Sequence, residues 1–530
     1  MPGEFQKPKV SAIVHLSAEL PYPIEKFYKI VTTIFEQHGQ ILELVVIDQL
    51  NDPAVNAELS KMNTEGNPVQ FVRGTDTTLG MRLNAAIKLA RGEYVLLIDN
   101  SKAEVHLKSA ATSLFLLAAE RNPKAGLFYA DYEIESTGAL REVHLLKHHQ
   151  GRVRDNQDYG RIYFIPKSIL KKIKGADPGL KFNTLYDLRL RIAEKSELTH
   201  LSSRYAGSLC RVYAEGKGHN VFDYLMAGKD SQIEAEQVLS AHLKRSDAFL
   251  KPGAFYHRRP KVNRQSSLKA SIIIPVNNRA EFIGTAIESV LHQTVPDIEV
   301  IVVVNGGEKD PTINAVKAFM VSGMKYQPNR PEVRLIVLDI NNIGLCLNTA
   351  AQAAQGEIYV QLDSDDRLKP HAVEKILDVF ASDTRIGIVI GSYEVWQLND
   401  NTGVIERVDS IPVVTHDEWT ENNGRNNLLR INGAGAPRSI PINIIKGMGY
   451  FGINDEPFAR NYGEDYEMVL KISEQYRVGR VWEPIYDVVR HKGGTDHSID
   501  QVTIDRNDEA KDYMRWQAIN RRIKLNKKKK

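Results

Sequence analysis

Cysteine is scarce in this sequence: Cys210 and Cys346 are the only two among 530 residues. Two thiols alone supply neither a disulfide framework nor a zinc cage, and so few fit a reducing compartment. Long uncharged apolar runs are also missing, which predicts no membrane-spanning helix. The opening MPGEFQKPKV lacks the apolar core of a signal peptide. Together these absences predict a cytoplasmic, non-integral protein. Net charge is nearly absent too: 69 basic against 66 acidic residues leave +3. Bulk charge therefore names no partner.

What is present is the composition of a soluble globular chain, 42% apolar and 25% charged, too long for one ordinary core. The one biased segment is NRRIKLNKKKK, which gathers Arg521, Arg522, Lys524 and Lys527 to Lys530 behind the helix-like DEAKDYMRWQAI. It reads as a solvated basic tail, with peripheral contact to anionic lipid or to an acidic partner as the functional alternative. No nucleic-acid module accompanies it, so no nucleic-acid partner is expected.

The chain repeats itself. SAIVHL from Ser11 pairs with SIIIPV from Ser271, and TIFEQHGQILELVVID from Thr33 with SVLHQTVPDIEVIVVV from Ser289. GMRLNAAIKLARGEYVLLID from Gly80 pairs without gaps with GLCLNTAAQAAQGEIYVQLD from Gly344, and eight of these twenty positions are identical. A period this long excludes a solenoid and indicates a duplicated domain. Each half alternates apolar strands with helical patterns, so each is expected to be a βαβ-built α/β domain with a mainly parallel sheet. DSQIEAEQVLSAHLKRS between them reads as an amphipathic helix, and KPGAFYHRRPKVNRQSS as an extended basic connector. The expected division is 1–215, a connector 216–268, a second domain 269–498 and a helical basic tail 499–530.

The second half ends an apolar strand on three acids: Asp363, Asp365 and Asp366 in GEIYVQLDSDD. Further on, Glu464 and Asp465 open the helical pattern EDYEMVLKI, where the helix dipole favours negative charge. His491 follows the apolar run IYDVV, and NGAGAPRS from Asn432 to Ser439 is a glycine-rich loop that could admit phosphate or acceptor to backbone amides.

These segments, in this order from about Leu268 to Ser498, resemble family-2-type glycosyltransferases with the GT-A fold, and the first half resembles a degenerate copy. The resemblance implies two tandem GT-A-like domains. It implies an inverting, metal-dependent transfer of sugar from a nucleotide-diphosphate donor to a glycan, lipid-linked or protein acceptor, in polysaccharide or glycoconjugate synthesis. Mn²⁺ or Mg²⁺ would offset charge on the departing diphosphate. The resemblance assigns metal contacts to Asp365, Asp363 and His491, the general base to Asp465, and acceptor orientation to Glu464. It assigns the donor to Pro275, Asn277, Arg279, Asn305, Gly344, Asn348 and Asp363. Val304 stands where the family usually reads the nucleotide base with an Asp, so that role falls to Asn305 or to a different contact.

In the first half Asp99 aligns with Asp363, but Ser101 and Lys102 replace Asp365 and Asp366, Thr184 and Leu185 replace Glu464 and Asp465, and Cys210 replaces His491. Only Asp48, aligned with Val304, keeps the base-reading residue type. This half is expected to be non-catalytic. Two other classes fit less well: a sugar nucleotidyltransferase, which lacks its glycine-rich loop here, and a non-catalytic glycan- or nucleotide-binding protein.

Overall fold

VSAIVHL and ASIIIPV become strands because their branched side chains are buried on both faces, as central parallel strands require. A computed structural model describes the chain outside residues 1–8, 18–23, 38, 64–67, 75–76, 102, 137, 203–206, 214–227, 261–266, 400–401, 416–423, 432, 434, 456–460, 493–499 and 530. The chain divides into two units, Met1–Ser246 and Asp247–Lys530. The helix Lys229–Arg245 belongs to the first. Its Glu234 caps the amides of Lys181, Phe182 and Asn183, and its His242 and Arg245 hold Glu194.

The first unit has a seven-stranded sheet ordered Glu197–Leu201, Ala125–Ala130, Ile162–Pro166, Tyr94–Ile98, Val10–Leu16, Ile41–Asp48 and Val69–Arg73. Only Ile162–Pro166 runs against its neighbours. A four-stranded sheet carries Glu104–Leu107, Cys210–Tyr213, Tyr132–Ser136 and Ala139–Val143. The second unit has one nine-stranded sheet. Glu332–Val337, Ile298–Val304, Ala270–Val276 and Ile358–Gln361 run parallel, then Arg438–Pro441 runs antiparallel beside Ile358–Gln361. Ile386–Leu398, Arg477–Arg490 and Arg367–Leu368 continue the sheet. The parallel half agrees with the expected α/β layout. The antiparallel insertion is a tertiary feature.

The repeated residues prove to be packing devices. Ser11 Oγ donates to Glu43 (2.7 Å) and accepts the Gly92 amide (2.8 Å); Ser271 does the same with Glu299 (2.6 Å) and Gly356 (3.0 Å). Gln37 ties Thr33, Lys108 and Thr112 as Gln293 ties Ser289, Lys369 and Val373. Buried polar groups persist when each is fully paired. Asn84 clamps the backbone of Ala176, and Asn348 clamps that of Phe451 with bonds of 2.9 Å each way.

Gly344, at the start of the helix Ile343–Ala353, lies against Gly452: a Cβ there would sit 1.8 Å from the Gly452 carbonyl oxygen. Gly344→Ala is therefore expected to destabilise the protein by about 3 kcal/mol, because backbone on both sides must yield. Gly447→Ala, with nothing within 4 Å, is the matched control. Equal denaturation midpoints for the two variants would contradict this packing.

The C-terminal helix Gln501–Lys529 corrects the expectation of a solvated tail for part of its length. Arg515 and Arg522 are fully buried. Arg522 donates to the Arg425 carbonyl (2.7 Å), and Arg521 pairs with Glu474 (2.9 Å). Of the basic run, Lys524, Lys527 and Lys528 remain exposed. Among the described residues no helix is long and apolar enough to cross a membrane.

Candidate active site

Three parallel strands of the second unit, Ala270–Val276, Ile298–Val304 and Ile358–Gln361, end on the same edge of the sheet, where ligands enter open α/β folds. Past Gln361 the chain turns tightly, and the Asp366 amide returns to the Asp363 carbonyl (3.2 Å). The three acids of this turn have different fates. Asp366 is buried, and both its oxygens are used: Tyr486 Oη donates to one (2.8 Å) and the Val489 amide to the other (2.8 Å). Burial, then Asp365 and Asp363, push its carboxyl well above the usual range. It braces the turn against Arg477–Arg490.

Asp365 has a different partner. Its Oδ2 lies 2.9 Å from His491 Nε2, and its side chain keeps 25% of its exposure. The His491 ring is buried and packs on Phe282, with centroids 4.2 Å apart. Asp363 accepts from Gln361 Nε2 (3.3 Å), and its backbone amide donates to Tyr486 Oη (3.1 Å). Burial raises its pKa, Arg438 opposes that rise, and Asp365 adds to it.

Glu464 and Asp465 begin the helix Glu464–Gln475, entered through Gly463 at φ 87°, a left-handed turn that suits glycine. Asp465 accepts its neighbour's amide at Tyr466 (2.6 Å) and pairs with Arg438 Nη1 (3.1 Å). Glu464 is buried, and its Oε2 has no hydrogen-bond partner among the described residues. Burial first, then Asp465, pushes its carboxyl up to about 8. A raised folded-state pKa means that the native protein holds a proton which the unfolded chain releases. Stability from this group is thus full below the unfolded value near 4.5 and is lost as pH rises through about 8. Glu464→Gln is expected to melt increasingly above wild type between pH 5 and pH 8.5. A pH-independent difference in melting temperature would contradict the assignment.

Arg438 was not legible as a site residue. It opens the antiparallel strand, one register step beyond the Val360–Ser439 pair, and so stands beside Gln361. Burial disfavours its charge, but Asp465 and Asp363 more than offset that and hold it protonated. The only sequence signal was its place in GAGAPRS. Asn432 and Ala434 of that loop, Lys102 in the first half, and the two glycines after Lys492 lie outside the described residues.

Of the expected donor residues, half-buried Pro275 and Asn277 end or follow the first strand, and the Arg279 amide is fixed to Thr312 (2.9 Å). Asn305 is buried after the second strand, where its Nδ2 donates to Asn341 (3.3 Å). Gly344 and Asn348 sit in the Phe451–Gly452 contact described above, with both ends of the Asn348 amide consumed by backbone.

Arg438 and His491 are each paired with one acid, Asp465 and Asp365, and Asp363 lies in the same turn as Asp365, an arrangement of acids that suits a divalent cation. Asp365 and His491 converge with oxygen and nitrogen donors, a mixed set compatible with Mn²⁺, and Asp363 is the next acid in the turn. Among the described residues no group of three His, Cys, Asp or Glu side chains is already gathered as a metal cage.

The first unit has lost this arrangement. Ser101 turns its hydroxyl onto Asp99 (2.6 Å), Thr184 is buried, and Tyr163, paired with Leu97, takes the register of Arg438. Cys210 is buried and its thiol is pushed up to about 12, so it offers no thiolate.

Residues 271–432 match the family model described as glycosyl transferase family 2. A chondroitin synthase of Escherichia coli is 35% identical over 139 residues, 26% of this chain and 19% of that protein. A hyaluronan synthase of Pasteurella multocida is 37% identical over 119 residues, 22% of this chain and 11% of that one. This chain thus spans about a fifth or less of the length of these relatives. Among solved structures, S. aureus TarS 1-349 in complex with UDP-GlcNAc aligns at TM-score 0.34 and 18% identity, over 44% of this chain and 62% of that one. The stretch of the second unit that carries the acidic turn at the carboxyl edge of its sheet thus matches glycosyl transferase family 2.

Proposed function

We propose that the second unit transfers a sugar from a nucleotide-diphosphate donor to a growing glycan with inversion at the anomeric carbon. The observation that carries this reading is the pairing of Asp365 with His491 and of Asp465 with Arg438 on one sheet edge. Asp365 and His491, with Asp363 beside them, would hold Mn²⁺ or Mg²⁺, whose charge would stabilise the departing diphosphate. Asp465, partly exposed, accepts the proton of the acceptor hydroxyl as that oxygen forms its bond to the anomeric carbon. Arg438 fixes the Asp465 carboxylate through their ion pair. Glu464, buried and proton-holding, can donate a hydrogen bond to a sugar hydroxyl.

The similarity to chondroitin and hyaluronan synthases supports a role in polysaccharide synthesis. The first unit, without metal ligands or base, is proposed to be non-catalytic. Incubation of the whole chain with individual nucleotide sugars, Mn²⁺ and short glycan acceptors tests the reading. One donor should give a Mn²⁺-dependent product of inverted anomeric configuration. Retention of configuration, or no donor turned over with or without acceptor, would overturn it.

A further inference from the structure

The helix Gln501–Lys529 of the second unit has a counterpart in the first, Lys229–Arg245. Arg521 of the one pairs with Glu474 (2.9 Å) and Arg245 of the other with Glu194 (2.8 Å), and the two glutamates are repeat-equivalent. The first packs on Glu464–Gln475 and the second on Thr184–Ala193. What each presents to the start of that helix differs in sign. In the first unit Thr184 and Leu185 leave the two opening positions uncharged. There Glu234 accepts the amides of Lys181, Phe182 and Asn183 (2.7–2.8 Å), which lead into the helix. In the second unit Glu464 and Asp465 hold the opening positions, and the group presented is Lys511. Its Nζ donates to Oη of Tyr462 (2.9 Å), the repeat equivalent of Phe182. It lies 4.3 Å from the centre of that ring and 5.7 Å from the centre of the Tyr466 ring.

Lys511 is 7% exposed. A helix dipole favours anions at its N-terminus and disfavours cations, so the stability of the helix gives no reason to bury an ammonium there. The acids and the aromatic rings do. Burial disfavours the Lys511 charge, but Tyr462 and Asp465 more than offset that and hold it protonated. Gly463 lies under the same stretch: a Cβ there would sit 3.0 Å from Met514 Cε and 3.7 Å from Lys511 Cγ. One turn on, Arg515 covers the Tyr466 ring (5.0 Å) and donates to the Ile431 carbonyl (2.8 Å). Tyr462, Gly463 and Tyr466 flank the acidic pair, and all three are held by Lys511–Arg515.

We propose that Lys511 is a positioning residue for sugar transfer: through Tyr462 it fixes the first turn of Glu464–Gln475, and with it the Asp465 carboxylate, which makes Gln501–Lys529 part of the active site. This rests on the reading of Asp465 as general base. The test uses the whole chain. Lys511→Met keeps the length of the stem and removes the charge and the bond to Tyr462, whereas Lys511→Arg keeps the charge. Lys511→Met is expected to lower kcat about tenfold and Lys511→Arg less, with the donor KM within about threefold of wild type in both. In an Asp465→Asn background Lys511→Met should cost under about twofold more, because its effect passes through Asp465. Tyr462→Phe, which loses only the hydroxyl, is the independent variant if Lys511→Met does not fold, and should lower kcat about fivefold, the worth of one hydrogen bond. Hydrogen–deuterium exchange across Gly463–Glu467 needs no turnover, so it separates this proposal from the reading of the second unit as a transferase. Lys511→Met should speed that exchange about tenfold. Unchanged exchange there, or an equal loss of kcat with and without Asp465, would overturn the proposal, as would a rise in donor KM that accounts for the loss.

Discussion

Asp465→Asn is expected to lower sugar transfer by about a thousandfold while donor affinity stays within about threefold of wild type, because a general base contributes on the order of 10²–10⁴ to rate. The substitution is close to isosteric. The side-chain oxygen that accepts the Tyr466 amide is retained, so the helix start survives. What is lost is the proton acceptor and the ion pair with Arg438. Arg438 loses one of its two counter-charges but keeps Asp363, so melting temperature should fall by only a few degrees. Single-turnover rates and donor affinity, measured side by side, check the split. A rate loss under tenfold would remove Asp465 from the role of base.

The second large effect is expected for Asp365→Ala: Mn²⁺-linked binding of a nucleoside diphosphate should fall by at least about 100-fold, since even outer-shell partners of metal ligands alter affinity about 10- to 100-fold. The contrasting variant is Asp366→Asn, one residue on. Both Asp366 oxygens are occupied by Tyr486 and Val489. Its amide replacement should therefore lower stability by about 1–3 kcal/mol while metal affinity changes little. Titrating Mn²⁺ against each variant in the presence of diphosphate, with parallel denaturation curves, separates the two acids. Equal metal affinities for the two variants would undo the assignment of separate roles to Asp365 and Asp366.

Gly344 and Asn348 show where a sequence reading was drawn toward chemistry and the structure shows packing. The same Gly and Asn occur in the first half as Gly80 and Asn84, where a Cβ on Gly80 would meet the Asp177 carbonyl oxygen at 2.1 Å and Asn84 clamps Ala176. A pair retained in the half that lost its metal ligands serves the fold that both halves share. Ser11, Glu43 and Gly92 with Ser271, Glu299 and Gly356 follow the same logic. Their identity was visible in the repeat, but their joint role as a buried polar network was not.

The sequence alone determined the duplication, the α/β alternation, the order of the acidic motifs and the loss of those motifs from the first half, because periodicity and residue type are local properties. Tertiary structure decided which acids remain free for ligands. Asp366 is consumed by a strand more than a hundred residues later, Asp465 is held by an arginine from an unforeseen antiparallel strand, and Arg522 is buried where a loose tail was expected. Availability of a charged side chain depends on which distant backbone and counter-charge reach it, and only the folded chain brings those together.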